Sequence, residues 1–139
     1  MRKLIFTVLI IFFTINACND SSNININEND DVIVNKSLFD TSNTENYTII
    51  NATISGNFLT IKIAASGCDS KNWKATLVDR GEILESFPIQ RSIKLHLKNE
   101  ELCLAYFEKE YTFDITELVE NYPAVIFSLT SWDKALKFE

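Results

Sequence analysis

Three cysteines carry the most specific chemistry in this chain: Cys18, Cys68 and Cys103. Cys18 ends the run Ile15-Asn16-Ala17-Cys18, which has the form of a lipobox, the site where a bacterial signal peptidase cuts ahead of a lipid-modified cysteine. The small Ala17 suits the position before the cut, and Asn16 is less usual beside it. Cys68 and Cys103 are then an even pair in an oxidising compartment, and a disulfide is their expected state. The closed loop of 35 residues is worth roughly 4 kcal/mol in the chain-entropy model. Two cysteines at that separation, with one distant histidine, make a poor zinc site; a metal or a reactive thiol is the alternative to the crosslink.

The remaining polar residues suggest little catalysis. His96 is the sole histidine and shares strand parity with Ser92 and Lys94, so a solvated face is expected for it. Asp79 with Glu82 and Glu85, or Glu108 with Glu110 and Asp114, are candidate paired carboxylates, whose mutual repulsion would shift a pKa. Residues two apart on a strand point the same way, so Glu108 and Glu110 are expected to face outward, and the spacing does not define a glycosidase pair. There is no Gly-x-Ser-x-Gly elbow, no His-Glu-x-x-His and no phosphate-cradling glycine loop among only three glycines. Tyr106, on the parity of Glu108, and Trp132 are the candidate binding aromatics, with core packing or plain exposure as the alternative. Glu85-Ser86-Phe87-Pro88 reads as a structural turn.

The elements that must position these residues begin with a signal. Met1-Arg2-Lys3 is a basic start, and Leu4 to Ile15 is apolar apart from Thr7 and Thr14. Twelve residues span about 18 Å as a helix, short of the roughly 30 Å hydrocarbon core, so a cleaved signal is expected rather than a transmembrane helix. An ordinary secretory signal with an incidental cysteine is the competing reading. Residues 18–46 are rich in Asn, Asp and Ser and read as a flexible polar tether, with Val32-Ile33-Val34 and Leu38-Phe39 as apolar exceptions able to pin its end.

From Tyr47 the pattern has period two. Ile50, Ala52 and Ile54, the turn Gly56-Asn57, then Leu59, Ile61 and Ile63 predict a hairpin. Trp73, Ala75 and Leu77 predict a third strand ended by a turn at Asp79-Arg80-Gly81, and Ile83–Phe87 a short fourth, with Pro88 at an edge, bulge or crossing. Ile93, Leu95 and Leu97 mark a fifth strand; Cys103, Ala105, Phe107, Tyr111 and Phe113 lie on one parity of a long sixth. Asp114 with Glu117 predicts a capped one- or two-turn helix stopped by Pro123. Val125–Leu129 is a buried strand, and Leu136–Phe138 closes the sheet. The expectation is an all-β fold, an antiparallel β-sandwich or partly open barrel with one short helix, over residues 47–139.

The chain resembles small, uncharacterised lipoproteins of Bacteroidetes on the ordered series Gly67-Cys68, Trp73 to Leu77, Glu85-Ser86-Phe87-Pro88, Ile93-Leu95-Leu97, Cys103 and Phe113-Asp114-Ile115 with Leu118. The likeness covers about residues 47 to 130; Ile115 stands where Leu is usual, and Ser66 where a second Gly is common. The resemblance implies an all-β lipoprotein domain with a disulfide and supplies no activity.

Cleavage before Cys18 leaves 122 of the 139 residues, the length of one domain, with 11 basic and 19 acidic residues and a net charge near −8. That charge argues against nucleic acid or anionic lipid headgroups as partners. The sequence therefore leads to a protein moored in the cell envelope by lipid on Cys18, at the outer membrane on its periplasmic or surface side. It would be a non-enzymatic module binding an envelope protein, with no cofactor and no metal. A small-ligand or glycan binder, and a carboxylate-dependent hydrolase, are the alternatives.

Overall fold

The alternation of apolar residues along the chain from Tyr47 leaves each strand one face to bury, and two sheets do so against each other. The computed structural model describes residues 31–139; Cys18, the signal segment 1–17 and the tether up to residue 30 lie outside them. The strands are β1 (Asp31–Val34), β2 (Thr48–Ser55), β3 (Phe58–Gly67), β4 (Lys74–Leu84), β5 (Ile89–Lys98), β6 (Ala105–Asp114), β7 (Val125–Leu129) and β8 (Leu136–Phe138). Helix α1 (Lys36–Thr41) follows β1 and α2 (Thr116–Val119) follows β6. One sheet has the order β1-β4-β5-β7-β8, the other β2-β3-β6.

The core lies between them. Leu59, Ile61 and Ile63 of β3 and Tyr111 and Phe113 of β6 meet Ala75 and Leu77 of β4, Ile93, Leu95 and Leu97 of β5, and Phe127 of β7. Tyr47 joins this core, donating its hydroxyl to the Leu95 carbonyl at 2.7 Å. Burial disfavours the phenolate and raises the Tyr47 pKa far above its ordinary value.

The all-β class holds, with corrections of detail. The sandwich is not purely antiparallel: β1 runs parallel to β4, and β7 parallel to β5. The chain leaves the larger sheet after β5 to form β6 in the other, and returns through α2, so β7 enters beside β5 in the same direction. Helices number two among the described residues, because residues 31–46, read as the end of the tether, are built into the fold. Asn35 caps α1, its Oδ1 accepting from the Leu38 N–H at 2.9 Å, and its own N–H donates to the Asp79 carbonyl.

Asp79-Arg80-Gly81 is not a turn between two strands. β4 runs through it with a bulge, the register shifting between Asp79 and Ile83. Asp79 Oδ1 accepts from the Gly81 N–H at 2.6 Å, and Gly81 takes φ +79°, a left-handed conformation that glycine adopts without steric penalty. The hairpin turn lies beyond it, over residues 85–88, and contains the cis Phe87–Pro88 bond. A second irregularity, between Ile49 and Asn51, shifts the parity of β2, so Ile49 and Ala52 are buried and Ile50 faces out.

The outer face of β4 and β5 is not the solvated surface expected from Ser92, Lys94 and His96. Helix α1 lies over it and buries Phe39, Val78 and Lys94. The Lys94 ammonium sits 4.5 Å from the Phe39 ring centroid and donates to the carbonyls of Phe39 and Ser42, at the C-terminal end of α1. The lysine stem packs while its charge satisfies helix-end carbonyls. His96 is half-buried there, Nδ1 3.1 Å from Ser42 Oγ.

In the short α2, Asp114 does not form the expected capping box. Its Oδ1 accepts from Thr116 N and Oγ1, at 2.9 and 2.5 Å, and Ile115 occupies the cap position without a side-chain bond. These bonds favour the carboxylate and hold Asp114 below its ordinary pKa.

Candidate functional site

The residues that the sequence singled out as a possible crosslink converge on one corner. β3 ends at Gly67, the next residue is Cys68, and Cys103 lies two residues before β6. The two form a disulfide, with Cα atoms 4.8 Å apart. The corner is closed a second time by Glu101. Its Oε2 accepts from the backbone N–H of Cys68, Ser70 and Asp69, at 2.7, 3.2 and 3.3 Å, and from the Trp73 indole N–H at 3.0 Å. Successive N–H groups converging on one oxygen form an anion nest, here filled by the protein's own carboxylate. Asn99 continues the lock, accepting from Glu101 N and donating to the Ser66 carbonyl. Lys109 Nζ donates to the carbonyls of Ser70, at 3.0 Å, and Trp73.

This geometry explains the Gly-Cys pair. A Cβ on Gly67 would lie 2.7 Å from the Trp73 ring and closer still to Glu101 Oε2. Gly67→Ala is therefore expected to destabilise the domain by about 1–3 kcal/mol through overpacking, read as a lower midpoint in urea denaturation; an unchanged midpoint would show that the corner gives way freely.

Desolvation works against the Glu101 charge, but the N–H groups of Cys68, Ser70 and Asp69 and the indole outweigh it, and the carboxyl is held below its usual range. A depressed folded pKa gives stability that is complete above the unfolded value and is lost as pH falls through the folded one. The stability gap between wild type and Glu101→Gln is thus expected to be constant above about pH 4.5 and to close on acidification below it. Denaturation midpoints from pH 7 to pH 3 measure this, and a gap that widens in acid would refute it.

The candidate carboxylates are not brought together. Asp79 is wholly buried and paired with Arg91, while Glu82 lies outside, bound to Lys36 and Arg80. Glu85 is exposed. Glu108 and Glu110 face outward as expected, Glu108 at 2.6 Å from Lys62; Asp114 lies six positions further along the strand from Glu108, about 20 Å. Among the described residues no group of three His, Cys, Asp or Glu side chains is placed to hold a metal. Trp132 is half-buried, its Nε1 without a hydrogen-bond partner, and Lys134 lies 5.4 Å from its ring centroid.

Tyr106, by contrast, is 64% exposed, and it continues an apolar display that sequence reading missed. Leu102 and Leu104, flanking Cys103, are 93% and 91% exposed. No local pattern marked them, because residues 101–104 form a loop outside the period-two strand, with Cys103 itself exposed. Phe87, at the tip of the β4–β5 hairpin, is 91% exposed. A cleft of about 350 Å³ beside the corner is lined by Asn72, Lys74, Lys98, Glu100 and Glu101.

The fold and corner together define a disulfide-locked, two-sheet β-sandwich of mixed strand direction. Its architecture is similar to that in the crystal structure of a protein of unknown function, DUF1344, from Bacteroides vulgatus ATCC 8482. The two share 13% sequence identity with a TM-score of 0.56 over 79% of this chain and 56% of the other, so this chain spans little more than half the length of that protein. No protein-family model matches the sequence, and no curated protein matches it.

Proposed function

We propose that this chain is a lipid-anchored, non-enzymatic module of the bacterial cell envelope, tethered through Cys18 and presenting its sandwich to a protein partner. The observation that carries the reading is the exposed Leu102, Leu104 and Tyr106 beside a doubly locked corner. Bulky apolar groups are held in water there by a crosslinked scaffold, at a cost in solubility that a binding surface explains. The dispersal of the carboxylates favours binding over hydrolysis. The small-ligand reading has less support, since the inter-sheet space is filled by side chains such as Tyr111, Phe113 and Phe127.

Fractionation of bacteria expressing the full-length chain tests the mooring. The wild type is expected in the membrane fraction, and Cys18→Ala in the soluble envelope fraction or retained with an uncut signal. A globomycin-type inhibitor of lipoprotein signal peptidase is expected to trap the longer form. Normal maturation in its presence would reject the lipobox, leaving the binding domain to be exported by an ordinary signal.

A further inference from the structure

The smaller sheet ends in β6, which among the described residues pairs only with β3. The register between them is unbroken from Phe58↔Asp114 to Gly67↔Ala105. Just beyond it, the Ile115 N–H donates to the Asn57 carbonyl at 2.8 Å, which sets the phase of the ladder. In an antiparallel pair, directly bonded residues alternate with non-bonded ones. The bonded positions of β6 are thus Phe113, Tyr111, Lys109, Phe107 and Ala105, and the backbone N–H and C=O groups of Tyr106, Glu108 and Glu110 point away from β3 to the open edge.

Proteins usually blunt such an edge with proline, a bulge or charged side chains. β6 has no proline and its register has no bulge; its charges are Lys109, drawn inward to the Ser70 and Trp73 carbonyls, and the outward Glu108 and Glu110, so the edge turns away acidic strands and stays open to a basic one. The same residues that carry the free backbone groups put Tyr106, Glu108 and Glu110 on the exposed outer face, and Leu102 and Leu104 lead into them. One lysine, Lys62, ion-pairs with Glu108 and also feels Glu110, so acidic charge on this strand exceeds its local basic partners.

We infer that the β6 edge is a strand-addition site for an extended segment of a partner protein in which apolar residues alternate with Lys or Arg. This rests on the partner-binding reading above and names its surface. Backbone bonds to Tyr106, Glu108 and Glu110 supply the pairing; in a period-two segment the cations share the outer face with Glu108, Glu110 and the Tyr106 ring, and the apolar side chains take the opposite, inward face. The charge also selects against other occupants. Two β6 edges paired with each other would crowd carboxylates, and an anionic lipid surface would meet the same repulsion.

The test places p-benzoylphenylalanine at Tyr106, and separately at Phe87, in the full-length chain and irradiates living cells. The expected result is a protein adduct from position 106 whose crosslinked segment alternates apolar and basic residues. Its yield should drop about tenfold in the exposed double variant Glu108→Gln/Glu110→Gln, which removes the acidic charge without setting a lysine opposite Lys62, with thermal melting nearly unchanged because an exposed ion pair contributes little. An adduct from position 87 but not 106 would overturn the edge site and leave partner binding standing. No adduct from either would remove both. An adduct of twice the chain mass, or one to phospholipid, would overturn the inference in favour of self-pairing or the membrane. As a direct probe, a fluorescent Val-Lys-Val-Lys-Val-Lys-Val peptide is expected to bind the detergent-solubilised full chain at least about tenfold more tightly than its Glu counterpart or a form N-methylated on one edge. Equal binding of the N-methylated form would refute strand addition.

Discussion

Asp79→Ala is expected to destabilise the domain by about 3–5 kcal/mol, because it strands a guanidinium in the interior. Asp79 has no exposed side chain and Arg91 has 9%. Arg91 Nε reaches Asp79 Oδ2 at 2.9 Å and Nη2 reaches Oδ1 at 3.1 Å, a two-pronged pair in which each charge is the other's main compensation. Asp79 Oδ1 also holds the Gly81 N–H, so the alanine variant releases the β4 bulge as well. At roughly 4 °C per kcal/mol for a domain of this size, the melting temperature should fall by roughly 12–20 °C. The pair itself need not be a large net contributor, since burying two charges costs solvation that their attraction only partly offsets. The double variant Asp79→Leu/Arg91→Met is therefore expected to recover most of the loss. Thermal and urea denaturation followed by circular dichroism measure both. A double variant as unstable as the single would show that the bulge, rather than the orphaned charge, carries the cost.

The same aspartate shows why parts of the fold were illegible. Asp-Arg-Gly has the local chemistry of a turn, and locally it behaves as one: Asp79 bonds Gly81 and Gly81 takes a positive φ. What carries the chain straight on is the ladder with β5, which resumes beyond the bulge at Ile83↔Arg91 and is invisible to any local pattern. β1 and α1 were hidden for a related reason. Val32-Ile33-Val34 has no alternation to announce a strand, and its parallel partner lies more than forty residues away in β4. β3, β5 and the inner half of β6 were legible because each buries one face on the same core, so period two survives into the structure. The phase of β2 was lost at a bulge that one extra residue creates.

At the corner, the disulfide could be reached by counting cysteines, and the resemblance marked Gly67 without giving a cause. The cause is the close approach of Trp73 and Glu101, the latter one acid among nineteen with nothing in its neighbours to distinguish it. The outward Tyr106, Glu108 and Glu110 followed from parity alone, whereas the open edge they sit on depends on which strand lies last in the sheet.

Cys68→Ser/Cys103→Ser is the second large effect expected. A crosslink closing 35 residues removes enough conformational freedom from the unfolded chain to stabilise by about 4 kcal/mol, which corresponds to roughly 15 °C in melting temperature. Dithiothreitol should lower the wild-type melting temperature by a similar amount and leave the double serine variant unchanged, and an insensitive wild type would exclude the bond in solution. The corner gives this prediction a second part. Glu101 and Cys103 are two residues apart on the same loop, and the Glu101 carboxylate holds the Cys68 N–H, so the two locks share one loop and one strand end. Their losses should not add. With the disulfide intact, Glu101→Gln removes hydrogen bonds from a loop that the crosslink still holds in place. Without it, only the nest and the Asn99–Ser66 hydrogen bond keep residues 99–104 against the end of β3, and the same substitution should cost more, releasing Leu102 and Leu104 from their fixed display. A double-mutant cycle with three denaturation curves beside the wild type reads the coupling. Strict additivity would mean that the nest and the crosslink act independently, and that the apolar display beside β6 does not depend on both.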